Sequence, residues 1–221
     1  NYMYKAGWAE KVKSFVENGG TFVTTYFSGM VDETALCFTG CHPLEDVLGV
    51  IQEEIDAPSE EFENQFAYAG KEYRAQRMCE IDHAKEGTEV LSVYEREFYA
   101  GCPVVTRNQF GKGEAYYLAA ESDLAFLRAF YGDVFERTGL KNALDTELPY
   151  GVTVTERTCA DQAPADGDAE TKKHKGVVFV MNFKNDPVCV ECAGEWTDAE
   201  TGEVCRDRIE MKAFGCRVFV S

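Results

Sequence analysis

Residues Tyr2–Asn18 carry apolar side chains at helical spacing (Trp8, Val12, Phe15, Val16), Gly19-Gly20 stop the period, and Thr21–Phe27 is β-branched and aromatic on both faces. A helix that feeds a strand covered on both sides is the second half of a βαβ crossover. No other feature restricts the fold as much. Gly19 suits the left-handed position after a helix. The crossover needs a strand ahead of its helix, and Asn1–Tyr4 are too few to supply one. The expectation is an α/β fold met part-way through, the tail of a larger protein. The loop Ser28–Thr34 follows the carboxyl end of the strand, the edge where open α/β sheets gather ligands and functional loops.

Further along, Pro43–Val50 reads as a short helix with proline in its first turn, and Ile51–Asn64 as an acidic connector. Phe66–His83 reads as two strands and Val90–Tyr94 as another. Val104–Gln109 and Glu114–Ala120 are joined by the hairpin turn Phe110-Gly-Lys-Gly113. Ser122 is placed to cap a helix running to Gly139, and its apolar residues (Leu124, Leu127, Phe130, Tyr131, Val134, Phe135) predict packing on more than one side. After Leu148-Pro-Tyr-Gly151 the helical period ends. Val152–Arg157, Val177–Phe183, Val188–Cys192, Val204–Lys212 and Cys216–Val220 read as short strands, with Ala160–Lys175 a polar hairpin loop. The division is an α/β domain over 1–148 and a small antiparallel β-sandwich or barrel over 149–221.

The net charge of −17, from 39 acidic against 22 basic residues, argues against nucleic acid and against docking on an anionic membrane. No apolar run reaches the ~18 residues of a transmembrane span. The nine cysteines are scattered through apolar strands (Cys37, Cys79, Cys102, Cys159, Cys216) like small core residues, which points to free thiols in a reducing, cytoplasmic setting.

Candidate chemistry is thin. Glu53, Glu54, Asp56, Glu60, Glu61 and Glu63 form the densest carboxylate cluster, but a glycosidase pair must be held about 5 Å apart on rigid supports, and a solvated face explains the run. Cys189-Val-Glu-Cys192 has zinc-like spacing, yet residues three apart on a strand point to opposite faces, so no metal or other cofactor is expected. Cys41-His42 invites a nucleophile reading that needs spatial contact and an orienting third group. His83 and His174 lie in polar stretches without an evident partner, and Gly111-Lys112-Gly113 precedes a strand where a phosphate loop requires a helix. No catalytic residue is assigned.

Several strings taken together resemble glycoside hydrolase family 42 β-galactosidases: Phe15–Asp32, Gly49–Glu54, Gly111–Tyr117, Leu148–Arg157, Phe179–Phe183, the Thr201-Gly202 turn and Ala213–Val220. The resemblance covers nearly the whole chain, in order. It implies a trimerisation domain with a class I glutamine-amidotransferase-like (flavodoxin-like) fold, followed by the family's C-terminal β domain. It further implies a homotrimer, a catalytic (β/α)8 barrel absent from this chain, and two catalytic glutamates within that barrel. The loop Ser28-Gly-Met-Val-Asp-Glu33 matches a recurrent family string, so Ser28, Gly29 and Asp32 are the candidate functional-edge residues; the competing reading is a tight turn closed by Ser28 and Asp32. Two other functions stay open: a free-standing small-ligand or carbohydrate-binding module, and an amidotransferase-like hydrolase using Cys41.

Overall fold

The computed structural model describes residues 2–59, 63–157 and 176–220. Two compact units emerge, Asn1–Thr138 and Gly139–Ser221. In the first, β1 (Met3–Tyr4) leads to α1 (Trp8–Glu17), β2 (Thr21–Thr25) and β3 (Val31–Asp32). Then come α2 (Glu45–Leu48), β4 (Val50–Asp56), β5 (Asn64–Tyr68), β6 (Lys71–Ala84), β7 (Glu89–Val93), β8 (Pro103–Phe110), β9 (Gly113–Leu118), β10 (Ala120–Ser122) and α3 (Leu124–Thr138). The second unit holds β11 (Val152–Arg157), β12 (Val177–Asn182), β13 (Val188–Asp198), β14 (Val204–Met211) and β15 (Cys216–Val220).

The α/β, flavodoxin-like expectation is overturned: the chain is dominated by strands, with three helices among the described residues. One sheet has the order β2-β9-β8-β7, and only its β2–β9 pair is parallel. A second sheet is built on the 14-residue β6, which takes β4, β5 and β10 as antiparallel partners. A parallel sheet needs a crossover, usually a helix, between successive strands. Here β5 and β6 turn at Ala69-Gly70, and β8 and β9 at Gly111-Lys112, so tight hairpins take the place of crossovers. The first part of the segment read as an acidic connector, Ile51–Asp56, lies in strand β4, half-exposed along most of its length.

Local readings are corrected in three further places. The first helix starts at Trp8 rather than Tyr2, because Gly7 is left-handed (φ 74°) and Met3–Tyr4 extend to pair in parallel with Val31–Asp32. Asp123, not Ser122, caps α3: its Oδ1 accepts the Phe126 N–H at 2.8 Å. That helix is covered on one side, since Phe126, Phe130 and Val134 are buried at i, i+4 and i+8 while Leu124 and Phe135 are exposed. Among the cysteines read as core, Cys79 is buried, Cys102 half-buried, Cys37 and Cys216 exposed, and Cys159 lies outside the described residues.

Strand β9 is buried along its whole length. Its alternation sends Tyr116 and Leu118 into a cluster with Phe66, Tyr73 and the α3 rings, where Phe126 meets Phe66 edge-on at 4.9 Å. Ala115 and Tyr117 go to a separate cluster with Val12 and Val16 of α1 and Val47 and Leu48 of α2. The turn before β9 presses on the end of α1: a Cβ at Gly111 would strike the Glu17 backbone, and one at Gly113 the carbonyls of Val16 and Gly20. Glycine is required there by closeness.

In the second unit the strands form one antiparallel sheet in the order β11-β12-β15-β13-β14. Val178, Val180, Val190, Ile209 and Phe219 fill its core. Asp198, 3% exposed, accepts the Glu200 and Thr201 amides at 2.9 Å each and Arg217 Nε at 2.7 Å. Burial pushes this carboxyl up, but the Thr201 and Glu200 amides and Arg217 outweigh it and hold the pKa at about 2. Arg217→Met leaves that charge without its cation. Calorimetry is expected to show a loss of about 3 kcal/mol. Because the folded pKa lies below the unfolded value, the carboxylate's own contribution is present above about pH 4 and lost as pH falls towards 2. Equal stability in wild type and variant across pH 2–7 would contradict this role.

Candidate functional site

The candidate loop leaves the carboxyl end of β2, where Tyr26 N–H still bonds Leu118 O at 2.7 Å. Phe27 then turns into the left-handed region at φ 57°, and its N–H donates to Glu80 Oε1 at 2.8 Å. Ser28 is fully buried, its hydroxyl 2.6 Å from Thr24 Oγ1. Gly29 follows at φ 68°, and a Cβ there would run into the His42 imidazole and the Tyr4 ring. Asp32 Oδ1 accepts the Thr34 hydroxyl at 2.6 Å, the Thr34 N–H at 2.8 Å and the Leu36 N–H at 3.1 Å, which together hold its carboxyl below the usual range. Each of the three residues therefore has a local structural task.

The loop is one wall of a cleft of about 510 Å³, lined among others by Gly29, Cys41, His42, Gln52, Glu54 and Glu80. His42 Nε2 lies 2.8 Å from Ser28 O and Nδ1 accepts the Leu44 N–H at 3.1 Å, an arrangement that assigns the ring proton to Nε2. Burial lowers its pKa, so the ring is neutral at pH 7. Both ring nitrogens are thus spent on backbone and none is left for Cys41. The Cys41 thiol is exposed, and Glu45 beside it pushes its pKa up, the opposite of what a nucleophile requires. The Cys41 hydrolase reading is not assembled.

The polar centre of the cleft wall is Glu80, on β6. Its Oε2 accepts the Tyr117 hydroxyl and, at 3.4 Å, Gln52 Nε2; Tyr117 and Gln52 also contact each other. Burial raises the Glu80 pKa against the pull of Tyr117, the Phe27 amide and Gln52. Sequence reasoning missed this group. The signal was available: Met78-Cys-Glu-Ile-Asp82 carries two acids two residues apart in an otherwise apolar stretch of strand, so both face the same side.

The acidic cluster disperses. Glu53 pairs with His83, which thereby has a partner; Asp56 accepts the Tyr99 hydroxyl at 2.8 Å; Glu63 meets Arg74 at 3.2 Å. Glu60, Glu61 and His174 lie outside the described residues. Cys189 is exposed and Cys192 buried, on opposite faces of β13. Among the described residues no three His, Cys, Asp or Glu side chains converge on a possible metal position. No helix there is long and apolar enough to cross a membrane.

The family profile described as "Beta-galactosidase trimerisation domain" matches residues 1–141, and "Beta-galactosidase C-terminal domain" matches residues 169–221. The chain belongs to the glycoside hydrolase family 42 β-galactosidases. This family-42 chain is 37% identical to β-galactosidase Pbg of Clostridium perfringens and 42% identical to β-galactosidase BglY of Alicyclobacillus acidocaldarius, over 98% of its own length in both cases. It spans 31% of the length of each relative. The crystal structure of a β-galactosidase from Bacillus circulans sp. alkalophilus superposes with a TM-score of 0.81 at 34% identity, over 99% of this chain and 31% of that one.

Gly29 is the most exacting position of the loop. Gly29→Ala combines a positive φ with the collision against His42 and Tyr4. Denaturant unfolding is expected to report a loss of about 2 kcal/mol. A change below about 0.5 kcal/mol, within the ordinary range for surface substitutions, would show the loop to be unconstrained.

Proposed function

We propose that this chain is the non-catalytic assembly portion of a longer β-galactosidase. Residues 1–148 act as the part through which copies associate as a homotrimer, and 149–221 as the accompanying β domain. The parent hydrolyses terminal β-galactosides with retention, by a nucleophile glutamate and an acid/base glutamate carried on a barrel outside this chain. The observation that carries this reading is the match of residues 1–141 to the family's trimerisation domain. The local geometry supports it, because His42 and Glu80 in the cleft wall are committed to backbone and to neighbouring side chains, and no nucleophile–base pair is assembled there among the described residues. The loop of Ser28, Gly29 and Asp32 would shape the active-site mouths near subunit boundaries. A cytoplasmic location is supported by the unpaired state of all eight described cysteines.

A second reading, a carbohydrate-binding module, draws on Tyr150, Phe183 and Phe214. All three are exposed on turns that meet at one end of the second unit, where Phe183 N–H bonds Gly151 O and Phe214 N–H bonds Lys184 O.

Light scattering on the purified chain is expected to give three times the 24.7 kDa of one copy. The same material is expected to leave a chromogenic β-galactoside intact. A monomer at micromolar concentration would reject the assembly role. Turnover abolished by substituting an acidic residue of this chain would reject the non-catalytic assignment. Retention on a galactan column, lost in Phe214→Ala, would favour the second reading.

A further inference from the structure

Glu80 and Asp82 share one face of β6, opposite Cys79 and Ile81, and each is 1% exposed. Their surroundings differ sharply. Glu80 receives Phe27 N–H, the Tyr117 hydroxyl and Gln52 Nε2, whereas neither oxygen of Asp82 has a hydrogen-bond partner. Asp82 pairs across the sheet with Gln52. The titratable groups that face the two acids are Tyr117 on β9, Tyr94 beyond β7 and Cys102 ahead of β8, with Glu53 on β4 acting on Cys102. None is a cation. Two carboxylates so placed oppose each other's ionisation: the charge is favoured on the acid with three donors, and the proton on the acid with none.

We propose that Glu80 and Asp82 form a proton-controlled latch on the loop 27–32: with Asp82 protonated, Glu80 accepts the Phe27 amide and holds the turn, and loss of the Asp82 proton to solvent base releases it. The asymmetry of the site says which part gives way. Glu80 lines the cleft and can swing towards water, while Asp82 lies outside the cleft and cannot. When Glu80 moves, Phe27 N–H loses the acceptor that holds it at its positive φ. Burial, and then the charge of Glu80, push the Asp82 pKa well above the usual carboxylate range. The linkage has a definite sign. An acid whose folded pKa exceeds its unfolded value favours the folded, latched state below the unfolded pKa of about 4, and that advantage is lost as pH rises to the folded pKa. The latch is therefore closed in acid and opens towards alkali.

The test follows amide hydrogen exchange of residues 27–32 between pH 5 and 9, each rate divided by its intrinsic value, alongside the carbon-13 shift of the Asp82 carboxyl. The wild-type chain is expected to keep Asp82 protonated at pH 6, and loop opening to rise by up to about tenfold per pH unit as pH climbs towards the point where Asp82 ionises in the latched state, levelling off above it. Asp82→Asn cannot ionise and is expected to give a flat profile; Asp82→Leu serves if the amide variant folds poorly. Glu80→Gln removes the charge that opposes Asp82 while keeping an oxygen for Phe27, and is also expected to flatten it. An Asp82 carboxyl that ionises below pH 5, a flat wild-type profile, or the same profile in Asp82→Asn would each overturn the latch.

Discussion

The first unit depends on one strand, β9, being dry on both faces. A strand buried on one side needs a single layer of cover, but Gly113–Leu118 needs two, and the rest of the unit supplies them. On one side the cover is aromatic: Phe66, Tyr73, Phe126 and Phe130 interlock edge-to-face around Tyr116 and Leu118. On the other it is aliphatic, with Val12, Val16, Val47 and Leu48 over Ala115 and Tyr117. The polar atoms that β9 carries into these layers then dictate their own partners. Glu114 takes Arg137 at 3.0 Å and the Tyr116 hydroxyl at 3.0 Å, and the Tyr117 hydroxyl takes Glu80. Glu80 in turn reaches the turn after β2. The candidate loop is thus connected to the central strand through two side chains.

Much of this was legible in the sequence wherever one residue type had one job. Gly111 and Gly113 marked the β8–β9 hairpin, and the strands after Leu148 were found by alternation and spacing. The failures have physical causes. The α/β expectation took a helix feeding the covered strand Thr21–Phe27 as the sign of a parallel sheet, but only β2 with β9 is parallel, and parallel and antiparallel neighbours of a doubly covered strand place the same demands on its side chains. Strand β4 was hidden because Glu53 and Glu54 are exposed on it, and a half-wet strand carries little apolar alternation. Helix α1 begins later than its apolar spacing suggests because Gly7 decides the backbone, and Tyr4 is buried from an extended segment.

The site was less legible than the fold, for a different reason. Ser28, Gly29 and Asp32 were singled out by position at a strand end; of the three Gly29 lines the cleft, and position alone does not say what they do. Their tasks depend on partners far away in sequence: Tyr4 and His42 for Gly29, and Glu80 for the amide of Phe27. No local pattern carries a pairing across 53 residues. Asp32 is the exception, since an aspartate two residues before a threonine is a short-range turn signal, and its bonds to Thr34 are that turn.

What the polar groups spend their lone pairs on bears on function. A catalytic carboxylate or imidazole keeps an acceptor free and aimed at the place where substrate will sit. Around this cleft His42 spends both nitrogens on backbone, Glu80 spends its oxygens on an amide, a phenol and a carboxamide, and Asp32 closes its own turn. These are the bonds of a wall held in shape. Asp82 departs from the pattern, a buried acid that bonds nothing. Its cost is hard to account for as structure alone, since an apolar side chain of similar size would fill the same place without a polar atom to bury. A group that is a liability while neutral, and a larger one when charged, makes the stability of its surroundings a function of proton concentration, and it does so at the residue next but one to the acid that holds the loop.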